Sequence, residues 1–194
     1  DYLGMDKLIK KILTSRVYEA AIETSLDEAV GLSERFANRI LLKREDQQPV
    51  FSFKLRGAYN RLAHLTEEEK RNGVLAASAG NHAQGVAFAA RKLGIQATIV
   101  MPETTPQIKV EAVERFGGQV ILRGTSYSEA ADYARELIQK SEMTFIHPFD
   151  DELVIAGQGT VADELLRQNP GRLDAVFIPV GGGGLISGMA AYIK

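Results

Sequence analysis

The sequence predicts an α/β protein, with parallel strands and helices on both faces of the sheet. Three observations lead there. From Val74 onward, short apolar runs alternate with helical stretches of ten or so residues, the pattern of β-α-β units. Helix starts are marked by capping boxes and by a proline at a first helical position. A run of four glycines, Gly181 to Gly184, separates one such apolar run from a last helix.

Taken in order, the basic residues Lys7, Lys10 and Lys11 read as the solvated face of a first helix. Ser25-Leu-Asp-Glu28 has the form of a capping box. It is followed by Leu26, Ala29, Val30, Leu32, Phe36 and Ala37 at helical spacing, so a helix is expected there. Ile40 to Leu42 reads as a strand that ends in the charged stretch Lys43-Arg-Glu-Asp46. A helix follows from near Lys54 to His64, and Thr66-Glu-Glu-Glu69 opens a short polar one. Strands are expected at Val74–Ala77, Ala97–Met101, Val120–Leu122, Thr144–Ile146 and Val176–Val180. Between them lie helices from Ala83 to Lys92, stopped by Gly94, and from an N-cap at Thr105 with Pro106 at N1 through to Arg115. Others span Ser128 to Ser141, follow Gln158, and follow the glycines. The chain stops at Lys194 inside that last helix, and residues beyond 194 are expected in the parent protein.

Composition excludes several classes. Apolar residues make up 45% and charged residues 25% of 194, a mixture that can bury a core and is neither fibrous nor disordered. The formal net charge of -2 gives no electrostatic case for nucleic acid or an anionic membrane as partner. Without cysteine, disulfides and thiolate metal sites are ruled out in this stretch, which fits a reducing compartment. No apolar run reaches membrane-span length, and a signal-peptide core is missing, so a cytoplasmic location is expected. His64 and His147 have no partner at metal-ligand spacing, so no metal site is expected.

Open α/β sheets place their sites at the carboxyl ends of strands, and three segments there carry unusual residues. Gly181-Gly-Gly-Gly184-Leu185 leaves a row of unshielded backbone N–H groups at the positive end of a helix, a cradle for an anion such as phosphate. A flexible turn is the alternative. The spacing fits neither the dinucleotide fingerprint, because Ser187 stands where Gly or Ala is wanted, nor a P-loop. Ser78-Ala-Gly-Asn-His82 also opens a helix, where Gly80 lets a ligand approach the backbone. A bound carboxylate and simple capping by Ser78 or Asn81 both remain open. In Ser52-Phe-Lys-Leu-Arg-Gly57, Lys54 sits at a helix start, where the macrodipole favours the neutral amine that imine chemistry needs. By itself this would more often be a solvent-facing lysine. Lys43-Arg-Glu-Asp46 reads as a solvated turn with ion pairs among its own members.

Together these segments, with Gln48-Pro-Val-Phe-Ser-Phe-Lys-Leu-Arg-Gly-Ala-Tyr59 and Pro148-Phe-Asp-Asp-Glu-Leu-Val-Ile-Ala-Gly-Gln-Gly-Thr160, resemble the pyridoxal-phosphate (PLP) enzymes of the tryptophan-synthase-β type. Within that family the chain is similar to the threonine ammonia-lyases (threonine dehydratases), and Leu13-Thr-Ser-Arg-Val-Tyr18 leans toward their biosynthetic branch. The likeness runs from about residue 13 to the end, with the motifs in the family's order. It implies PLP as cofactor, Lys54 as its covalent lysine and the mover of the Cα proton, and Asn81 on the ring hydroxyl. Gly181, Gly182, Gly183, Gly184 and the Leu185 amide would hold the phosphate. Ser78, Gly80 and His82 would receive the substrate carboxylate, and Phe53 would pack beside the cofactor.

The implied reaction is deamination of L-threonine to 2-oxobutanoate and ammonia, a step of isoleucine and branched-chain amino-acid biosynthesis, in a homo-oligomer. The resemblance also implies two domains. Residues 57–149 would form a smaller α/β domain, and 1–56 with 150–194 parts of a larger PLP-binding one. The family's pyridine-nitrogen serine and any effector-binding C-terminal domain would lie beyond residue 194, so the 194 residues alone are expected to be inactive. A serine racemase or serine dehydratase is the nearest alternative, and a non-catalytic phosphate-ligand-binding fragment the more distant one.

Overall fold

The computed structural model describes residues 2–194, with side chains from residue 4 on. Helix α1 (Tyr2–Leu13) carries Lys10 and Lys11 in its last turn, where cations suit the helix dipole, and buries Ile12. A short strand β1 (Leu26–Glu28) follows, then α2 (Val30–Phe36) and β2 (Leu41–Lys43). The pattern at Ser25 is therefore not a capping box. Leu26 pairs with Lys43 and Glu28 with Leu41 in an antiparallel ribbon, and cross-strand hydrogen bonds outweigh the helical spacing of the apolar residues.

Helices α3 (Lys54–Ala63) and α4 (Glu67–Asn72) come next. The latter is closed by the expected capping box, with the Thr66 hydroxyl accepting from the Glu69 amide and the Glu69 carboxylate accepting from the Thr66 amide. Then the alternation sets in: β3 (Val74–Ala77), α5 (Asn81–Leu93), β4 (Ala97–Met101), α6 (Gln107–Arg115), β5 (Gln119–Leu122), α7 (Tyr127–Gln139) and β6 (Thr144–Phe145). The four strands form one parallel sheet in the order β5-β4-β3-β6. Strands β3 and β4 are central and buried throughout, which is why they read as nearly continuous apolar runs, interrupted only by Thr98. Their two faces serve different partners. Val74, Ala76, Ile99 and Met101 meet α3, α5 and α6, whereas Leu75, Ala77 and Val100 meet Ala130 and Ala134 of α7.

Several boundaries differ from expectation, among them the start of α5, at Asn81 rather than Ala83. Helix α6 is capped by Pro106 rather than Thr105, whose hydroxyl has no partner. Helix α7 starts one residue earlier, from an N-cap at Ser126. The long helix α8 (Glu152–Gln168) begins six residues before Gln158, because the Asp151 carboxylate accepts from the amides of Leu153 and Val154. Gly157 and Gly159 lie inside it as contact points. A Cβ on Gly157 would come within 2.6 Å of the Arg56 carbonyl oxygen on α3.

The last helix, α9 (Gly184–Ile193), crosses α8 in the same close manner, with Gly188 against the Ile155 carbonyl oxygen. The expected strand at Val176–Val180 does not form. The segment is extended but pairs with no described strand, and Phe177 is 95% exposed. Apolar, β-branched residues give strand propensity, but a strand exists only through a ladder.

Candidate functional site

Lys54 is the first residue of α3, whose N-cap, Phe53, offers no side-chain cap. Its amine is half-buried and donates to the Pro148 carbonyl oxygen at 2.8 Å. It also lies 5.5 Å from the centre of the Phe53 ring. Burial pulls the ammonium below the usual lysine range, since desolvation penalises the charged form. The direction is the one expected from its place at a helix start, and burial contributes to it.

Lys54 and the glycine loop face each other across one cavity of about 250 Å³. Phe53, Phe149, Pro179, Val180 and Leu185 complete its walls. Gly183 has φ +94°, which only glycine adopts without strain, and it is the N-cap of α9 with no side-chain cap. The glycines are not equivalent. Added Cβ atoms on Gly181 or Gly183 would meet nothing within 4 Å, whereas one on Gly182 would lie 2.1 Å from the Phe149 ring. So the backbone at 181 and 183 is open to an approaching anion, and at 182 the bare backbone is needed by Phe149.

The loop at Ser78–His82 opens α5, which packs on the backbone of Lys54. Helix α5 starts at Asn81 after the N-cap Gly80, and no side chain caps it. The Ser78 hydroxyl accepts from the Gly80 amide at 3.2 Å instead, which leaves the α5 N-terminus to other acceptors. A Cβ on Gly85, one turn on, would sit 3.2 Å from the Lys54 carbonyl, so α5 packs directly on the lysine's own backbone. Ser78, Gly80, Asn81 and His82 do not line the cavity that Lys54 shares with the glycines.

His82 is buried, with Nε2 2.9 Å from the Ile146 carbonyl oxygen. A carbonyl only accepts, so Nε2 carries the proton and Nδ1, which has no partner, is bare. Burial holds this imidazole down at about 4, against the opposing effect of the Ile146 hydrogen bond.

Helices α3 and α9 thus present N-termini without side-chain caps to one cavity, and α5, which packs on the Lys54 backbone, lacks a side-chain cap as well, as do α2 and α6. By contrast α4, α7 and α8 are capped by Thr66, Ser126 and Asp151. The arrangement can hold an anion with two or three acceptor groups beside an amine that is easily made neutral.

Two contributors carried no signal in the sequence: the Pro148 carbonyl and the Phe149 ring. Both lie in the quoted Pro148–Thr160 segment, but a backbone carbonyl and a half-buried aromatic leave no motif of their own. The Lys43–Asp46 stretch also behaves differently from expectation. Arg44 and Asp46 pair with each other, but Lys43 reaches Glu164, and Glu45 reaches Arg56, in the interior.

The class of protein follows from comparison. The family model of the pyridoxal-phosphate dependent enzymes matches residues 17–194, and the chain belongs to that family. It is 57% identical over 189 residues to the L-threonine dehydratase biosynthetic IlvA of Burkholderia multivorans, covering 96% of this chain and 37% of that protein. It is 53% identical to the mitochondrial threonine dehydratase of Saccharomyces cerevisiae, covering 96% of this chain and 33% of that one. Among solved structures, the processed form of threonine deaminase isoform 2 from Solanum lycopersicum superposes with a TM-score of 0.97. That chain is 52% identical, and the match covers 100% of this chain and 53% of it. Maize serine racemase gives 0.90 at 34% identity, covering 96% of this chain and 56% of that one. The chain therefore spans little more than a third of the length of the curated relatives it matches. No helix among the described residues is long and apolar enough to cross a membrane.

Proposed function

We propose that the protein carrying this chain is a PLP-dependent L-threonine ammonia-lyase that converts threonine to 2-oxobutanoate and ammonia. The observation that carries the reading is the half-buried Lys54 amine facing, across one cavity, a glycine loop at the uncapped N-terminus of α9. The identities of 53–57% to proteins named threonine dehydratase support the choice of substrate. In this reading Lys54 is the covalent lysine and, once released, the base that takes the Cα proton. Burial keeps its amine neutral more readily than in water, and the Pro148 carbonyl orients the lone pair by accepting one N–H.

The bound cofactor supplies an electron sink for that deprotonation. The amides of Gly181 to Gly184 and Leu185 take its phosphate, with the open backbone at Gly181 and Gly183 as the side of approach. Asn81, first residue of α5, hydrogen-bonds the ring hydroxyl. Ser78, Gly80 and His82 receive the substrate carboxylate, His82 through its backbone amide, since its ring is turned to Ile146. Phe149 closes the cavity against water. Residues 57–149 and the two flanking segments act as the smaller and larger lobes about this cleft. A cysteine-free chain supports a cytoplasmic location, and exposed apolar side chains such as Phe36 and Ile108 support a homo-oligomer.

The test is product analysis on the full-length protein with PLP. Threonine should give 2-oxobutanoate faster than serine gives pyruvate or D-serine, and Lys54→Ala should abolish both turnover and the visible band of the lysine-bound cofactor. D-serine as the main product would replace the reading by a serine racemase. Activity of Lys54→Ala above roughly a hundredth of wild type would remove the lysine from the mechanism, since losing a covalent catalyst costs far more.

A further inference from the structure

Two residues beyond Lys54, Arg56 points the opposite way and is fully buried. All its N–H groups are used. Nε and Nη2 fork onto Glu45 at 2.8 and 2.6 Å, and Nη1 and Nη2 fork onto Glu164 at 2.5 and 2.9 Å. Thr160 Oγ1 accepts from Nη1 at 3.1 Å. Glu164, fully buried too, further accepts from Tyr18 Oη, Lys43 Nζ and the Thr24 amide. Two cations and two anions make the cluster neutral. Burial works to raise the Glu164 carboxyl, but Arg56, Lys43 and Tyr18 prevail and hold it below the usual carboxylate range. A closed ionic cluster is no efficient source of stability, because apolar residues of the same volume often serve as well or better. What it supplies is a single register, since a bidentate fork fixes both distance and plane.

The register concerns the site because of what α8 touches. On one side the first turn of α3 lies backbone-on-backbone against it. Gly57 faces the Val154 carbonyl, Gly157 faces the Arg56 carbonyl, and the Gly57 amide donates to Gln158 Oε1 at 3.1 Å. On another side Gly188 of α9 lies against the Ile155 carbonyl and the Gly159 amide. The helices that carry Lys54 and the glycine loop are therefore gauged against the same turn of α8, residues 154–159. A rigid ligand anchored at both ends tolerates little error in that span, because misplacement of about 1 Å can cost on the order of 100-fold.

We infer that Arg56 is a positioning residue: by clamping the Lys54 turn to Glu164 and Thr160 of α8, it sets the span between the lysine amine and the glycine loop. The inference rests on the proposed PLP site, and the experiment separates the two.

In the full-length protein, wild type, Arg56→Lys and the double variant Arg56→Met/Glu164→Met would each be titrated with three probes. PLP engages both ends, pyridoxal only the lysine, and inorganic phosphate (read by competition with PLP) only the loop. Arg56→Lys keeps the charge and loses the fork. The double variant removes one cation and one anion, so the cluster stays neutral with Lys43 and Glu45 as its remaining charges, and it decides the matter should the single one not fold. PLP affinity should fall by about tenfold or more in both, while pyridoxal and phosphate each stay within about twofold of wild type. Gly188→Ala, acting from the loop side, should give the same signature. Unchanged PLP affinity in a folded variant would overturn the inference. An equal fall for all three probes would also overturn it, by reducing Arg56 to a folding role. If wild type forms no Lys54-dependent visible band with PLP or pyridoxal, the proposed site itself fails and the inference with it.

Discussion

His82 should make the protein acid-sensitive by an amount that follows from its burial. The imidazole is 3% exposed, with Nε2–H donating to Ile146 and Nδ1 bare in the interior. Burial holds its pKa at about 4, with the positive charges of Lys54 and His147 acting in the same direction. In the unfolded chain it would titrate near 6.5. The folded value is the lower, so between those two pH values the unfolded state binds the extra proton and stability falls as pH falls. Above pH 6.5 the contribution is constant, and below 4 the loss is complete at about 3 kcal/mol. At intermediate points the loss is about 1.4 kcal/mol at pH 5.5 and about 2.5 kcal/mol at pH 4.5. The assay is urea unfolding of wild type and His82→Gln across that range. Glutamine can still donate to the Ile146 carbonyl but cannot protonate, and titrations common to both proteins cancel in the difference. The wild-type advantage should shrink by about 2.5 kcal/mol from pH 7.5 to 4.5. A difference constant within about 0.5 kcal/mol would refute the reasoning and mean that the ring is solvated or shares its proton elsewhere.

The glycine loop gives a contrast between neighbours. Gly181→Ala should leave stability near wild type and weaken PLP by about tenfold, whereas Gly182→Ala should destabilise by about 1–3 kcal/mol through collision with Phe149. Phe149→Ala should rescue much of the loss at Gly182, and failure to do so would remove Phe149 as the cause. Phe51 lies at φ +59° with 74% of its surface exposed, an unfavourable place for a bulky residue. Phe51→Asn should therefore raise the urea midpoint, by about 0.5 kcal/mol of stability. A loss above about 1 kcal/mol would show that the ring is held by contacts with another chain.

Much of the fold was legible because its signals are local. The four parallel strands lie within one residue of the expected positions, and the two central ones, buried on both faces, are apolar but for Thr98. The capping box at Thr66 was readable for the same reason. The failures share a cause as well. Ser25-Leu-Asp-Glu28 satisfies the local rule for a helix start, and its pairing with Leu41–Lys43 is a non-local fact that no short window contains. Val176–Val180 is the converse: strand-like residues without a described strand partner, with Val176 and Ile178 half-buried and Phe177, Pro179 and Val180 exposed. The helix expected to follow Gln158 begins six residues earlier, which places Gly157 and Gly159 within it. Inside α8 they are contact points, because a glycine in a helix allows another backbone to approach.

The site divides along the same line. Lys54, Asn81 and the glycine loop are singled out by their conjunction, since an amine at a helix start and a small polar loop opening a helix each have a plain structural reading alone, and only four glycines in a row stand out locally. The parts that hold them are invisible because their partners are distant in sequence. Arg56 meets Glu164 across 108 residues, and His82 meets Ile146 across 64. In the sequence Arg56 is one more charge on a helix, and Lys43-Arg-Glu-Asp46 looks like a solvated turn. Yet Lys43 and Glu45 face inward and complete the neutral cluster behind the lysine. A charged residue is legible as functional when it stands where a charge is unfavourable, and that depends on burial, which only the fold assigns. The residues that face a ligand can therefore be read from a motif, whereas those that fix the motif in space have to be read from their partners.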